Sequence, residues 1–191
     1  MILSSFVFDD LSEDYDSWFE EHLNVYRGEL RMLRPVVPMS GRGLEVGVGS
    51  GRFAEPLGIR FGIDPARKLL MMAKRRGIEV IRGEGEHLPY RPGSFDYVLM
   101  ITVVCFVRDP LPLFYEAFRV LSHAGMLIVC FIERDGEIAQ HYLQEKIKGR
   151  FLRFAKFRTI REVSGFFGNT GFYDISIMQH SHGFCVMRGV K

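Results

Sequence analysis

Between Gly43 and Phe53 the chain reads Gly-Leu-Glu-Val-Gly-Val-Gly-Ser-Gly-Arg-Phe. An apolar run that ends in alternating glycines predicts a buried strand turning sharply into a helix. Gly47, Gly49 and Gly51 leave the backbone bare, so a ligand can lie against the peptide N–H groups. An acid, Glu45, stands just before them. A second apolar run, Phe61-Gly62-Ile63, ends in Asp64. An acid at the tip of the second strand of a βαβ unit is where ribose hydroxyls are held. The pattern predicts a nucleoside-bearing cofactor across the carboxyl ends of a parallel sheet.

Spacing decides which cofactor. The dinucleotide fingerprint G-x-G-x-x-G puts its last glycine where this chain has Arg52. Here the spacing is G-x-G-x-G, and Glu45 would set like charge against a pyrophosphate. A carboxylate there suits a cationic or amine-bearing ligand. S-adenosylmethionine carries an ammonium and a sulfonium and no phosphate. The run from Leu44 to Gly51 resembles motif I of the S-adenosylmethionine-dependent methyltransferases with a Rossmann-like fold. A nicotinamide oxidoreductase is the remote alternative for the same loop.

Composition narrows the class. At 191 residues the chain can build one domain with a sizeable core and is short for two. Apolar residues at 47% and charged residues at 25% indicate a globular chain, and a net charge of +2 selects no polyanionic partner. No apolar run reaches the ~20 residues of a membrane span. The first residues lack a basic start and turn acidic at Asp9 and Asp10, unlike a signal peptide. Cys105, Cys130 and Cys185 lie far apart without metal-ligand spacing, which suggests buried thiols in a reducing cytoplasmic compartment.

Periodicity predicts a helix from Ser12 to Leu33, with Ser12 as its cap and an apolar stripe through Trp18, Phe19, Leu23, Tyr26, Leu30 and Leu33. Strands are expected near 42–46, 60–63, 79–82, 95–101 and 125–132. Helices are expected at 51–57, 65–76 and 111–121. The tail reads as a helix over 161–171 and strands over 172–179 and 184–188, joined by a short turn. This alternation predicts an α/β fold. The resemblance implies a three-layer sandwich with a mostly parallel seven-stranded sheet whose last strand is antiparallel. Residues 1–191 are expected to form a single domain, with a helical cap over 1–38 and a substrate-covering insertion over 134–160.

The resemblance extends from Gly43 to the C-terminus. It implies Asp64 as the ribose-binding acid. The run Gly83-Glu84-Gly85-Glu86-His87-Leu88-Pro89-Tyr90 is similar to the family's loop after strand three. That similarity assigns Glu84, Gly85 and Glu86 to the adenine, with Glu84 standing where a shorter Asp is usual. Thr102, at the end of strand four, is expected on the cofactor side. Ser94 to Val98, Asp109-Pro110, Arg119 to Leu121, Gly125 to Leu127 and Gly171-Phe172 also resemble family segments. The likeness is greatest to the methyltransferase type 11 group, small-molecule enzymes like those of ubiquinone and menaquinone biosynthesis. A Leu-His-His-like segment common there is replaced by Val104-Cys105-Phe106-Val107, so no histidine role carries over.

Other chemistries find little support. Cytosine C5-methyltransferases place Pro before their nucleophilic Cys, whereas Val104 precedes Cys105. The Asn/Asp-Pro-Pro-aromatic motif of amino-group methyltransferases is missing from Ile101 to Val104. No carboxylate follows Asp96 until Asp109, so no metal is expected. The six histidines are scattered and lack acids at catalytic spacing. Tyr15 and Trp18 either belong to the core stripe or face the cofactor, where aromatic rings favour a sulfonium.

If the acceptor needs deprotonation, Tyr15 and Glu133 are the candidate bases. The stretch from Gln140 to Arg161 interleaves Lys146, Lys148, Arg150, Arg153, Lys156, Arg158 and Arg161 with Phe151, Phe154 and Phe157. It is either a solvated face, a lid over an anionic acceptor, or a nucleic-acid surface. The expected function is methyl transfer from S-adenosylmethionine to a small molecule by in-line displacement. An RNA methyltransferase and a non-catalytic cofactor-binding protein are the alternatives.

Overall fold

A computed structural model describes residues 3–144 and 151–191. The basic positions Lys146, Lys148 and Arg150 lie outside these residues. Three helices open the chain: α1 (Leu3–Asp10), α2 (Ser12–Glu21) and α3 (Leu23–Leu33). The alternating region follows, as β1 (Gly43–Val46), α4 (Ala54–Leu57), β2 (Phe61–Asp64), α5 (Arg67–Arg75), β3 (Glu79–Arg82), β4 (Phe95–Ile101), α6 (Leu111–Val120) and β5 (Leu121–Ile132). The tail contributes α7 (Glu137–Gln144), α8 (Ile160–Asn169), β6 (Tyr173–Ser181) and β7 (Phe184–Val190).

The seven strands form one sheet in the order β3-β2-β1-β4-β5-β7-β6. Every pairing from β3 to β5 is parallel. β7 is antiparallel to both neighbours, so the one reversed strand sits inside the sheet and β6 forms the edge. The chain leaves β1 toward β2 and β3, then returns to β4 on the other side of β1. That reversal opens a crevice at the carboxyl ends of β1 and β4.

Alternation along each strand builds two cores. Leu44, Val46, Val98, Met100, Leu127, Val129 and Phe131 pack on one face, with α6 and α8. Leu99, Ile101, Ile128, Cys130 and Val186 pack on the other, with Leu30 and Leu33 of α3. Glu45 falls between Leu44 and Val46 and therefore points to the second face.

Several boundaries differ from expectation. The helix predicted from Ser12 to Leu33 is two, broken at His22, whose backbone leaves the helical region (φ −115°, ψ 42°). The His22 ring stacks on Trp18, and its Nδ1 lies 3.0 Å from the Trp18 carbonyl oxygen. Ser12 does not cap; Leu11 holds that position, and Ser12 is buried as the first helical residue. The helix expected from Gly51 starts at Ala54, because the residues before it complete the glycine turn.

β5 starts at Leu121, directly after α6. The last helix begins at Ile160 rather than Arg161, behind a capping box. There Glu162 N–H donates to Thr159 Oγ1 at 3.1 Å, and Thr159 N–H donates to Glu162 Oε2 at 2.8 Å. Among the described residues no helix is long and apolar enough to cross a membrane.

Candidate cofactor and acceptor site

The glycine turn is held by the acid of the next strand. Asp64 Oδ2 accepts from Gly49 N–H at 3.0 Å, and Asp64 Oδ1 accepts from Ala66 N–H at 2.8 Å. Burial nevertheless pushes the Asp64 carboxyl up to about 6, against the pull of those two donors. Gly47, Gly49 and Gly51 all take positive φ. A Cβ on Gly47 would lie 2.4 Å from Val103 Cγ2, and one on Gly51 would lie 2.4 Å from Ile78 Cδ1. Gly49 is covered by Tyr15, whose hydroxyl would be 3.0 Å from such a Cβ. Gly47 and Gly49 thus keep the turn open under a roof, while Gly51 lets α5 and the loop before β3 pack close.

Around the turn lies a cavity of about 620 Å³, within the range that encloses a drug-sized ligand. Glu45, Gly47, Asp64, Thr102, Tyr15 and Trp18 all line it, so the two acids share one crevice. Glu45 is 2% exposed, and its Oε2 has no hydrogen-bond partner. Burial, then the nearby Asp64 charge, holds its carboxyl well above the usual range despite the Ala54 N–H. An orphaned buried carboxylate oxygen facing a cavity is a receptor for a cationic group.

Thr102 takes a left-handed backbone (φ 56°) at the end of β4, and its N–H donates to Cys130 O at 2.7 Å. Burial, followed by the charges of Asp64, Glu45, Asp16 and Glu29, raises the Tyr15 phenol pKa far above its usual value. Tyr15 forms a wall of the cavity over Gly49.

The lining also holds charged residues that the motifs did not mark, Asp14, Glu21, Glu29 and Arg52. Glu29 reaches it from α3, half-buried, and burial pushes its carboxyl up to about 7. Arg52, expected only as a substitute for a glycine, ties the helical cap down. Its Nε donates to Asp16 Oδ1 at 2.9 Å and its Nη2 donates to Asp16 Oδ2 at 2.6 Å and to Glu20 Oε1 at 2.7 Å. Arg76 Nη2 donates to the same Asp16 carboxylate at 2.9 Å, and Arg76 Nη1 donates to Ser50 O at 2.7 Å. The Tyr26 hydroxyl donates to Arg52 O. No spacing rule links Asp16 to Arg52 or Arg76, and in a helix Glu29 reads as an ordinary surface acid.

Other candidate residues fall elsewhere. Glu133 is buried but does not line the cavity; Ile132 does. Successive residues at a strand end face opposite ways, and the Glu133 charge falls on Cys185 instead. Glu84, Gly85 and Glu86 are also outside the lining. Gly85 packs against the first core, where a Cβ would lie 2.4 Å from Leu113 Cδ2. Cys105 is buried, its thiol donates to Thr102 O at 2.7 Å, and burial pushes its pKa up to about 12, which leaves no thiolate for attack.

The basic stretch is partly spent on structure. Arg158 is 5% exposed, and its Nη2 donates to Val107 O at 3.3 Å and Arg108 O at 3.2 Å. Among the described residues no three His, Cys, Asp or Glu gather as a metal site.

Fold, turn and acidic cavity together define a class of enzyme that binds a positively charged adenosyl cofactor. Residues 44–129 match the methyltransferase-domain family. An uncharacterised protein of Methanocaldococcus jannaschii is 39% identical over 173 residues, covering 91% of this chain and 84% of that protein. The demethylmenaquinone methyltransferase of Lactococcus lactis is 27% identical over 140 residues, covering 64% of this chain and 55% of that enzyme. The crystal structure of a S-adenosylmethionine-dependent methyltransferase from Thermotoga maritima, described as a possible histamine N-methyltransferase, superposes with a TM-score of 0.90. It is 33% identical and the match covers 97% of this chain and 99% of that one. The chain belongs to the S-adenosylmethionine-dependent methyltransferases, and its cofactor is S-adenosylmethionine.

Proposed function

We propose that the chain methylates a small-molecule acceptor by direct in-line displacement. The observation that carries this reading is the cavity between the glycine turn and the helical cap. Tyr15, Trp18 and Phe19 of α2 roof it, and Tyr142, Phe151 and Leu152 from the 134–160 segment close another side. Phe151 stacks on Phe8 of α1 with ring centroids 5.2 Å apart, so cap and insertion meet over the site. An acceptor admitted under such a roof is a single small molecule rather than a folded nucleic acid. The relatives with stated activities also name small acceptors.

S-adenosylmethionine, when bound, supplies a methyl group already activated on a sulfonium. The remaining work belongs to the chain. Glu45 takes the cofactor's ammonium on its unpaired oxygen, and Asp64 takes ribose hydroxyls while bracing Gly49. Thr102 and the N–H groups of the glycine turn complete the cradle, and Tyr15 and Trp18 cover it. Alignment of donor and acceptor supplies on the order of 7–11 kcal/mol of the barrier lowering, and the roof excludes water.

Isothermal titration with S-adenosylmethionine and S-adenosylhomocysteine tests the cofactor part, and labelled methyl transfer to a panel of small acceptors tests the rest. Heat with the cofactor and label in a small molecule are expected. Label transferred only to RNA overturns the reading.

A further inference from the structure

Five carboxyl groups line the cavity, those of Asp14, Glu21, Glu29, Glu45 and Asp64. The one cationic side chain among the described lining residues, Arg52, is committed to Asp16 and Glu20. Glu45 is the most deeply buried of the five acids, at 2% exposure. Its neighbours across the sheet are Gly62 on β2 and Leu99 on β4, and neither carries a polar side chain. Asp64 of β2 adds like charge. Tyr15 of α2, Tyr26 of α3 and Cys130 of β5 lie within reach of the Glu45 charge, and Glu29 of α3 acts on Tyr15 and Cys130 as well. From α4 comes the Ala54 N–H, a donor without a full charge. None of these elements brings a cation to Glu45.

Hydrogen bonding separates Glu45 from Asp64. Both oxygens of Asp64 accept backbone N–H groups, from Gly49 and Ala66, and such donors favour the ionised form. Glu45 Oε2 is buried without any partner. A carboxyl so enclosed escapes the cost of a bare charge by holding a proton. Burial, then the Asp64 charge, acts on Glu45 in that direction.

We infer that Glu45 is a carboxylic acid in the empty protein and a carboxylate beneath the cofactor, so that cofactor binding expels a proton. The inference rests on the reading of this cavity as the S-adenosylmethionine site and adds a pH control to it. In the step the Glu45 O–H bond breaks and the proton leaves to solvent. The oxygen keeps the electron pair and accepts an N–H from the cofactor's ammonium, so an uncharged acid becomes half of an ion pair. The sign of the pH dependence follows. While Glu45 still holds its proton, each cofactor must displace it, and affinity rises with pH. Once the acid ionises unaided, affinity levels off.

Titration calorimetry counts the proton and needs no turnover. S-adenosylhomocysteine is titrated at neutral pH in phosphate and in MOPS, two buffers with different heats of ionisation. Methylthioadenosine is the counterpart, since it keeps the adenosyl thioether and lacks the ammonium. The heat of S-adenosylhomocysteine should differ between the buffers by that of about one proton, and the heat of methylthioadenosine should not differ. On the rising limb of the pH profile the Kd for S-adenosylhomocysteine should fall about tenfold per pH unit. Glu45→Gln, an uncharged copy of the acid form, should give the same heat in both buffers and a flat profile. Glu29→Gln, whose circular dichroism checks the fold, should still release the proton. Equal wild-type heats of S-adenosylhomocysteine in both buffers overturn the inference. So does a proton released by methylthioadenosine, or one lost in Glu29→Gln and kept in Glu45→Gln. The wild-type titrations decide the matter even where Glu45→Gln binds too weakly to measure. Absence of binding by S-adenosylmethionine, S-adenosylhomocysteine and methylthioadenosine alike is a different result and defeats the cofactor reading itself.

Discussion

Glu45 carries a cost that a cationic ligand removes. It is buried at 2% exposure, one oxygen lacks a partner, and Asp64 adds like charge. A group that destabilises the empty protein and waits for a cation belongs to a binding site more than to a framework. Glu45→Gln should therefore raise the melting temperature of the ligand-free protein while weakening S-adenosylmethionine by about tenfold. Differential scanning calorimetry and titration calorimetry read the two effects separately.

Neighbouring acids extend the argument to pH. Folding raises Asp64 from 3.8 to about 6 and Glu29 from 4.5 to about 7, so the folded chain binds more protons than the unfolded one between these values. Their contribution to stability is largest below about pH 4 and falls as pH rises toward 7. Asp16 works in the opposite sense. Burial alone would raise it, but hydrogen bonds from Arg52 and Arg76 win and hold it at about 2. Its contribution is present above 3.8 and is lost as pH falls toward 2. The ligand-free protein should thus lose stability on both sides of mildly acidic pH. Melting curves of Glu29→Gln should show a shallower decline toward pH 7.

At the scale of elements, the binding site is assembled by one ion-pair knot. Asp16 on α2 meets Arg52 behind the glycine turn and Arg76 at the end of α5. The side chains are 17–20% exposed, so screening by water is partial. The knot sets Tyr15, one residue earlier, over Gly49. Asp16→Ala should cost about 1–3 kcal/mol in urea denaturation, leave two basic groups unanswered and weaken cofactor binding through the displaced roof. Unchanged cofactor affinity in that variant would show that the cap is held by apolar packing alone.

The whole molecule combines a buried sheet and a roof of helices. β1 and β4 are buried along nearly their full length and β5 from Leu127 to Ile132, and the ends of β1 and β4 fix Glu45 and Thr102. The roof is made of helical turns that meet through ring contacts among Phe8, Tyr15, Phe106 and Phe151. A ligand bridging sheet and roof should slow amide exchange in α1 and α2 while β4 and β5 stay as they are. Hydrogen-exchange mass spectrometry with and without S-adenosylhomocysteine checks this, and equal protection of α1 and α2 in both states would contradict it.

Much of this was legible from residues in a row. Alternate glycines demand positive φ, apolar runs demand burial, and Asp64 is bound to the turn beside its own strand end. Those preferences act between chain neighbours or along one element, so the succession of strands and helices and the nearness of Glu45 and Asp64 to the glycine turn were readable. The missed capping box at Thr159 and Glu162 was also local, and the Thr-x-x-Glu pattern could have revealed it. The break at His22, the partners of Asp16 and the inward aim of Glu29 were not readable. A stripe of apolar residues says that a helix packs, but not where it bends or which distant guanidinium it meets. The chain alone determined a cradle for a charged adenosyl group. The packing of α3 decided that Glu29 would line the same cavity as Glu45 and Asp64, because only the fold brings charges so far apart in sequence within reach of one another.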